Sequence, residues 1–354
     1  MVCASLIKFH KVLDKAILYN CSDVHFTSKR AVFSRRKNKL EIFCNEIFTK
    51  EELATVLYNI LNENQQAKFA EDRVIDCAYN YHQRRFRMNV YAISSGISIA
   101  MRLIGKDILD INSFIYADTL KRCIGEENSA RGLILICGAT GAGKSTTLAS
   151  MVDYLNKTSA KHIITLEDPV EYVFKDEKSL IHQREYGNDF KNFSQAVKMA
   201  MRQDPDVLMI GEIRDVETMK ATLSSAETGH LVLGTLHASS AVEVLMRMES
   251  FFPLAELSSV RTQIANSLNS IIVQRLFPFR MGMDSENCDL ICAMEILTAN
   301  TAVKNIIRQG YFEQLNSQIQ LHKKSGMHLM KDTIVDLVQR RLIDKKYLST
   351  YASK

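Results

Sequence analysis

Gly138-Ala139-Thr140-Gly141-Ala142-Gly143-Lys144-Ser145-Thr146 is the stretch of this chain whose residue types and spacing point most directly to chemistry. It fits G-x-x-x-x-G-K-[ST] without a departure, with an apolar strand-like run (132–137) before it and a helical pattern (145–156) after it. Gly138, Gly141 and Gly143 let the backbone curl until its N–H groups face one anion, and the helix that follows adds the positive end of its dipole. The spacing predicts that Lys144 reaches the β/γ-phosphates of a nucleoside triphosphate and that Ser145 ligates Mg²⁺. Such a loop names the ligand and not the work done with it.

Three further clusters narrow that work. Glu167, Asp168 and Glu171 sit at the end of a β-rich run, where α/β folds place their ligand sites. They can hold a metal or orient a water. Asp206-Val-Leu-Met-Ile-Gly211-Glu212 delivers a second acid after four apolar residues, a Walker B pattern. Gly211 stands where the usual Asp would be, so Glu212 alone occupies the tip and is the first candidate for general base, with Mg²⁺ left to Ser145, water and the acidic turn. His230 and His237, seven apart, bracket a third apolar run. Imidazoles there suit a nucleotide-sensing role, since they can donate to a phosphate and change partners as it leaves.

The elements that must position these residues are those of a two- or three-domain chain. Its 354 residues are 46% apolar and 24% charged, with 14 Gly and 4 Pro, which excludes collagen-like and low-complexity chains and argues against an all-β sandwich. Forty-five basic against 40 acidic residues give +5, no nucleic-acid signature by itself, although Lys29, Arg30, Arg35, Arg36, Lys37 and Lys39 crowd one stretch. The eight cysteines form no Cys-x-x-Cys pair and read as reduced thiols; Cys288 and Cys292 lack the two further ligands a metal needs, and Cys137 reads as a small core residue. No run approaches the roughly 18 apolar residues that span a bilayer, and Lys8, Lys11 and Lys15 interrupt the N-terminus. A soluble, cytosolic protein is expected.

Residues 1–104 read as a small α+β module: a helix over 6–19, short strands at 24–26, 31–33 and 40–43, a helix capped by Thr49, and a hairpin of 86–93 and 97–103. Residues 105–111 read as a hinge. From 112 onward apolar runs at 132–137, 163–166, 207–210, 231–234 and 271–273 alternate with helical stretches, which predicts an α/β domain with a largely parallel sheet; the last sixty residues, from about 290, read as helical.

GATGAGKSTTLAS, ITLEDPVEYV, RQDPDVLMIGEIRD and AETGHLVLGTLHASSA, in this order, resemble the Walker A, Asp box, Walker B and His box of the secretion ATPases, the superfamily of type II secretion and of type IV pilus assembly and retraction. CSDVHF and RRFRMNVY resemble segments of that family's PAS-like N-terminal domain, so the resemblance covers nearly the whole chain. It is strongest to the pilus retraction (PilT-like) branch: the tetracysteine insertion of assembly and type II secretion ATPases is missing, and Ala302-Val-Lys-Asn-Ile-Ile-Arg-Gln309 is similar to the retraction segment Ala-Ile-Arg-Asn-Leu-Ile-Arg-Glu, with Lys304 and Gln309 in place of Arg and Glu.

This resemblance implies a hexameric, Mg²⁺-dependent ATPase with a RecA-like motor domain. It makes Glu212 the catalytic glutamate, Glu167 its Asp-box counterpart, and His230 and His237 the His-box pair. Arg85, Arg87 and Arg102 match arginines that reach the nucleotide of a ring neighbour. It further implies a peripheral position at the cytoplasmic face of the inner membrane, a pilus platform protein and paralogous pilus ATPases as partners, and no direct contact with nucleic acid. A pilus-assembly, DNA-uptake or type II secretion ATPase is the alternative within the superfamily, and a weakly hydrolysing regulatory ATP-binding subunit the alternative outside it.

Overall fold

A computed structural model describes residues 4–19, 21–36, 39–82, 84–103, 108–125, 130–280 and 290–352. The chain divides into two compact units, Met1–Asp107 with Pro169–Val173, and Ile108–Asp168 with Phe174–Lys354. Gly105, Lys106 and Asp107 of the expected hinge lie outside the described residues, as do Cys3, Lys37 and Cys288.

The first unit is built on an antiparallel sheet. Helix α1 (Ala4–Leu18) leads into strands β1 (Asp23–Thr27), β2 (Ala31–Arg36) and β3 (Lys39–Ile47). Helices α2 (Lys50–Ile60) and α3 (Glu63–Asp72) follow, then β4 (Val74–Tyr81), β5 (Arg84–Ile93) and β6 (Gly96–Leu103), in the sheet order β3-β2-β1-β6-β5-β4. Thr49 and Glu52 close a capping box on α2, as the Thr-Lys-Glu-Glu sequence predicts. Alternation fixes the faces: Val24, Phe26, Phe86, Met88 and Val90 point into a core with Phe9, Leu13 and Leu53. Helix α3 and strand β4 are absent from the sequence reading. Helix α3 has no buried residue and so no apolar stripe, and in β4 only Ile75 and Cys77 are buried while Asp and Asn interrupt the run.

The second unit carries helix α4 (Ala117–Ile124), β7 (Gly132–Cys137), α5 (Lys144–Thr158), β8 (His162–Glu167), β9 (Leu180–Glu185), α6 (Phe193–Ala200) and β10 (Val207–Ile210). Helix α7 (Val216–Glu227), β11 (Leu231–Leu236), α8 (Ala241–Ser250), α9 (Leu257–Ser267), β12 (Leu268–Pro278) and β13 (Leu290–Thr298) follow. Helices α10 (Thr301–Gln309), α11 (Leu315–Leu321), α12 (Met330–Gln339) and α13 (Lys346–Ala352) complete it. The sheet order is β13-β12-β7-β11-β10-β8-β9, with every neighbouring pair parallel except β12 and β13. Strands β7, β10 and β11 are buried along their whole lengths, the mark of a parallel sheet covered on both faces. Leu133, Leu135 and Leu208 meet one helical layer, and Ile134, Ile136 and Met209 meet the other, which holds α5 through Leu148, Met151 and Val152.

The helical reading of everything after residue 290 is corrected here. Leu290–Thr298 is an edge strand that pairs with β12 over Ser270–Pro278. Its Ala-Met-Glu-Ile-Leu composition favours helix, and pairing overrides that preference. The edge strand β9 is likewise absent from the sequence reading, because four of its six residues are polar.

Candidate functional site

The parallel sheet delivers the loop residues to one edge. Strands β7 and β11 are in register from Gly132↔Leu231 to Cys137↔Leu236, and β10 and β8 run the same way. Gly138, His237, Gly211-Glu212 and Asp168 therefore leave the sheet on the same side.

Gly138, Gly141 and Gly143 have φ of 147°, 77° and 84°, which only glycine adopts without strain. At Gly138 a Cβ would lie 2.6 Å from the carbonyl oxygen of Gln274, so close packing on β12 adds to the conformational demand. Gly143 stands at the N-cap of α5 with no side chain over the helix end. The first turn of α5, Lys144-Ser145-Thr146, thus begins at the loop, where a helix N-terminus favours an anion. Lys144 Nζ donates to the carbonyls of Gly138 and Ala139, each at 3.0 Å, and so lies across the loop it closes. Ala142 N donates to Ala139 O at 3.1 Å, forming the turn at Ala139–Thr140–Gly141. Ser145 and Thr146 are half-buried on the first turn of α5.

Glu212 lies two strands from the loop in the sheet order, and its carboxylate is shared. Arg214 Nη2 donates to it at 2.6 Å, and His237 Nε2 stands 3.3 Å from its other oxygen. Arg214 also reaches Asp168 at 3.3 Å. Burial pushes the Glu212 carboxyl upward, but Arg214, His237 and Lys144 together outweigh it and hold the group below the usual carboxylate range. The field of Lys144 at Glu212 ties the acid to the phosphate loop. Thr235 Oγ1 donates to the carbonyl of Gly211, which pins the turn that presents Glu212.

Glu167 is placed differently. It ends β8, three strands from β7, or about 14 Å at the usual strand spacing. Its side chain is buried and accepts from Thr165 Oγ1 at 2.6 Å and Gln183 Nε2 at 3.1 Å. It is satisfied inside the sheet edge, whereas Glu212 is only half-buried. His230 is not at this edge at all. It precedes β11 while His237 follows it, so seven residue steps separate them, about 23 Å along an extended strand. His230 Nδ1 lies 3.1 Å from Thr228 Oγ1 and 3.2 Å from Ser225 O, in the turn after α7. The expected histidine pair is thus split, and His237 alone joins Glu212.

The three arginines lie in the first unit on one face of its sheet. Arg85 and Arg87 alternate with buried Phe86 and Met88 on β5, and Arg102 on β6 stands opposite Arg87. Arg102 Nε pairs with Asp23 at 2.8 Å, and Arg85 Nε donates to Val170 O at 3.1 Å. Arg87 and Arg102 are exposed.

Two residues of the site were missing from the sequence reading. Arg214 binds both Glu212 and Asp168, and the motif Glu-Ile-Arg already held it at the right parity. Gln274 donates from Nε2 to Ala142 O at 2.6 Å. Its signal was a polar residue closing the apolar run Ile271-Ile272-Val273. Among the described residues no group of three or more His, Cys, Asp or Glu is placed to hold a metal ion, and Cys288 lies outside them. Burial pushes the Cys137 thiol up to about 12. No helix among the described residues is long and apolar enough to cross a membrane.

Comparison with known proteins agrees with this geometry. The family described as type II/IV secretion system protein matches residues 3–338. The twitching motility protein of Neisseria gonorrhoeae is 37% identical over 83% of this chain and 76% of its own length. The type IV pilus retraction ATPase PilT of Pseudomonas aeruginosa is 37% identical over 84% of each. A crystal structure of the pilus retraction motor PilT with bound ADP superposes with a TM-score of 0.85 at 35% identity, covering 95% of this chain and 94% of that one.

Proposed function

We propose, because the chain belongs to the type II/IV secretion system protein family, that it is an ATP-hydrolysing motor of the pilus-retraction kind. One observation carries the enzymatic part: an uninterrupted phosphate loop shares a sheet edge with Glu212, an acid kept ionised by Arg214, His237 and Lys144. The loop N–H groups and Lys144 would hold the β- and γ-phosphates. Glu212 would take the proton of the attacking water, and His237 would follow the γ-phosphate as it leaves. Ser145 fits Mg²⁺, since its hydroxyl stands on the first turn beside the loop, and Glu212 would contact the ion through water. When bound, Mg²⁺ would neutralise phosphate charge.

Arg85, Arg87 and Arg102 put three positive charges on one face of the sheet, and Arg102 pairs with Asp23. That supports a role at a neighbouring subunit's nucleotide in a homohexamer, where guanidinium groups offset developing phosphoryl charge. Docked on a platform protein at the cytoplasmic face of the inner membrane, with or without a paralogous ATPase, such a ring would promote removal of pilin subunits. Deleting the gene tests the direction. Retraction predicts hyperpiliated, non-twitching cells, and bald cells would make the chain an assembly ATPase instead.

A further inference from the structure

We propose that Gln274 is a positioning residue for the phosphate loop: its side-chain amide orients the Ala142–Gly143 peptide so that the Gly143 N–H faces bound phosphate. The inference rests on the nucleotide reading of that loop. Strand β12 runs beside β7 with Val273 opposite Cys137, so the next residue, Gln274, stands level with Gly138, the first residue of the loop. Gln274 is fully buried. A carbonyl only accepts, so it is the amide nitrogen of Gln274 that faces Ala142 O, and the 2.6 Å separation makes the contact close.

A trans peptide sends its C=O and N–H in opposite directions. Tying the Ala142 carbonyl to β12 therefore aims the Gly143 N–H away from β12. Gly143 is the residue that most needs such a tie. Its φ of 84° lies where glycine moves freely, and no side chain caps the helix it begins. The backbone of Gln274 acts in the same place, because its carbonyl leaves room for no Cβ at Gly138. One residue of a neighbouring strand thus touches both ends of the glycine loop.

The chemistry of the position supports a task beyond packing. Gln274 Oε1 is buried and has no hydrogen-bond partner among the described residues. An unmet acceptor is unfavourable to folding, and an apolar side chain of similar volume would remove it. The amide is accounted for by what its other atom does at Ala142.

The test uses the full chain, with ADP affinity by calorimetry, steady-state ATP turnover and thermal melting for the unchanged protein and for Gln274→Leu and Gln274→Glu. Leucine keeps the bulk and removes the donor. ADP should bind roughly tenfold more weakly, the scale of one lost hydrogen bond. KM for ATP should rise in step, kcat at saturation should be little changed, and the melting temperature should stay close to that of the unchanged protein, because an unmet Oε1 is exchanged for an unmet Ala142 carbonyl. Ionised glutamate cannot donate to the carbonyl, but its protonated form can. The ADP affinity of Gln274→Glu, relative to the unchanged protein at each pH, should therefore recover as the pH is lowered. Gln274→Leu binding ADP as the unchanged protein does would overturn the proposal. So would a loss in Gln274→Glu that ignores pH, because packing alone would then explain it. An unchanged protein that binds no ADP would instead sink the nucleotide reading itself.

Discussion

The two ends of β11 carry a histidine each and do different things with it. At the end beside the phosphate loop, His237 stands 3.3 Å from Glu212, an acid held ionised by Arg214 and Lys144 as well. At the start, His230 sits in the turn after α7 with Thr228 and Ser225 for neighbours. That far edge also holds a cavity of about 780 Å³ lined in part by Arg122, Arg131, Glu227, Gly229 and Lys304. Lys304 belongs to the segment similar to the retraction signature, so that segment lies across the sheet from the hydrolytic edge. In a parallel sheet the chemistry collects where strands end, and a strand's two flanking residues share a motif without sharing a site.

Substitutions at the two histidines put this contrast to the test. His237→Asn should lower kcat roughly ten- to hundredfold, the worth of a hydrogen bond to a charged group. His230→Asn should leave turnover within about twofold, as a surface change does. Steady-state phosphate release measures both, and equal losses would dissolve the distinction between the edges.

A subtler effect concerns the electrostatics of the active edge alone. Glu212 has a folded-state pKa below its ordinary value, so its ion pairs stabilise the protein above that value and are lost as the pH falls through the folded one. Arg214→Gln removes the leading opposing charge. The acid limb of the pH–kcat/KM profile should then move to higher pH, while the unchanged protein keeps full activity further into acid. A profile that does not move would mean that another group sets the limb.

Much of this architecture was legible in the sequence because burial on both faces turns β7, β10 and β11 into continuous apolar runs. The phosphate loop was legible for a second reason: its glycines are demanded by backbone geometry that no other residue satisfies. Three kinds of feature were hidden. Edge strands β4, β9 and β13 owe their state to a partner strand, and their own composition is polar or helix-favouring. That His230 and His237 bracket one strand was legible, but which of them stands beside Glu212 depends on the direction of β11 in the sheet. The contact of Gln274 with Ala142 spans 132 residues and follows from register, which no local pattern encodes.

The most direct measurement is hydrolysis by Glu212→Gln, with ATP binding followed alongside it. The substitution keeps shape and removes the base. Binding should survive while turnover falls by about 10²- to 10⁴-fold, the usual contribution of a positioned base. Normal turnover in Glu212→Gln, together with collapse in Glu167→Gln, would contradict the assignment and move the base to the buried acid at the end of β8.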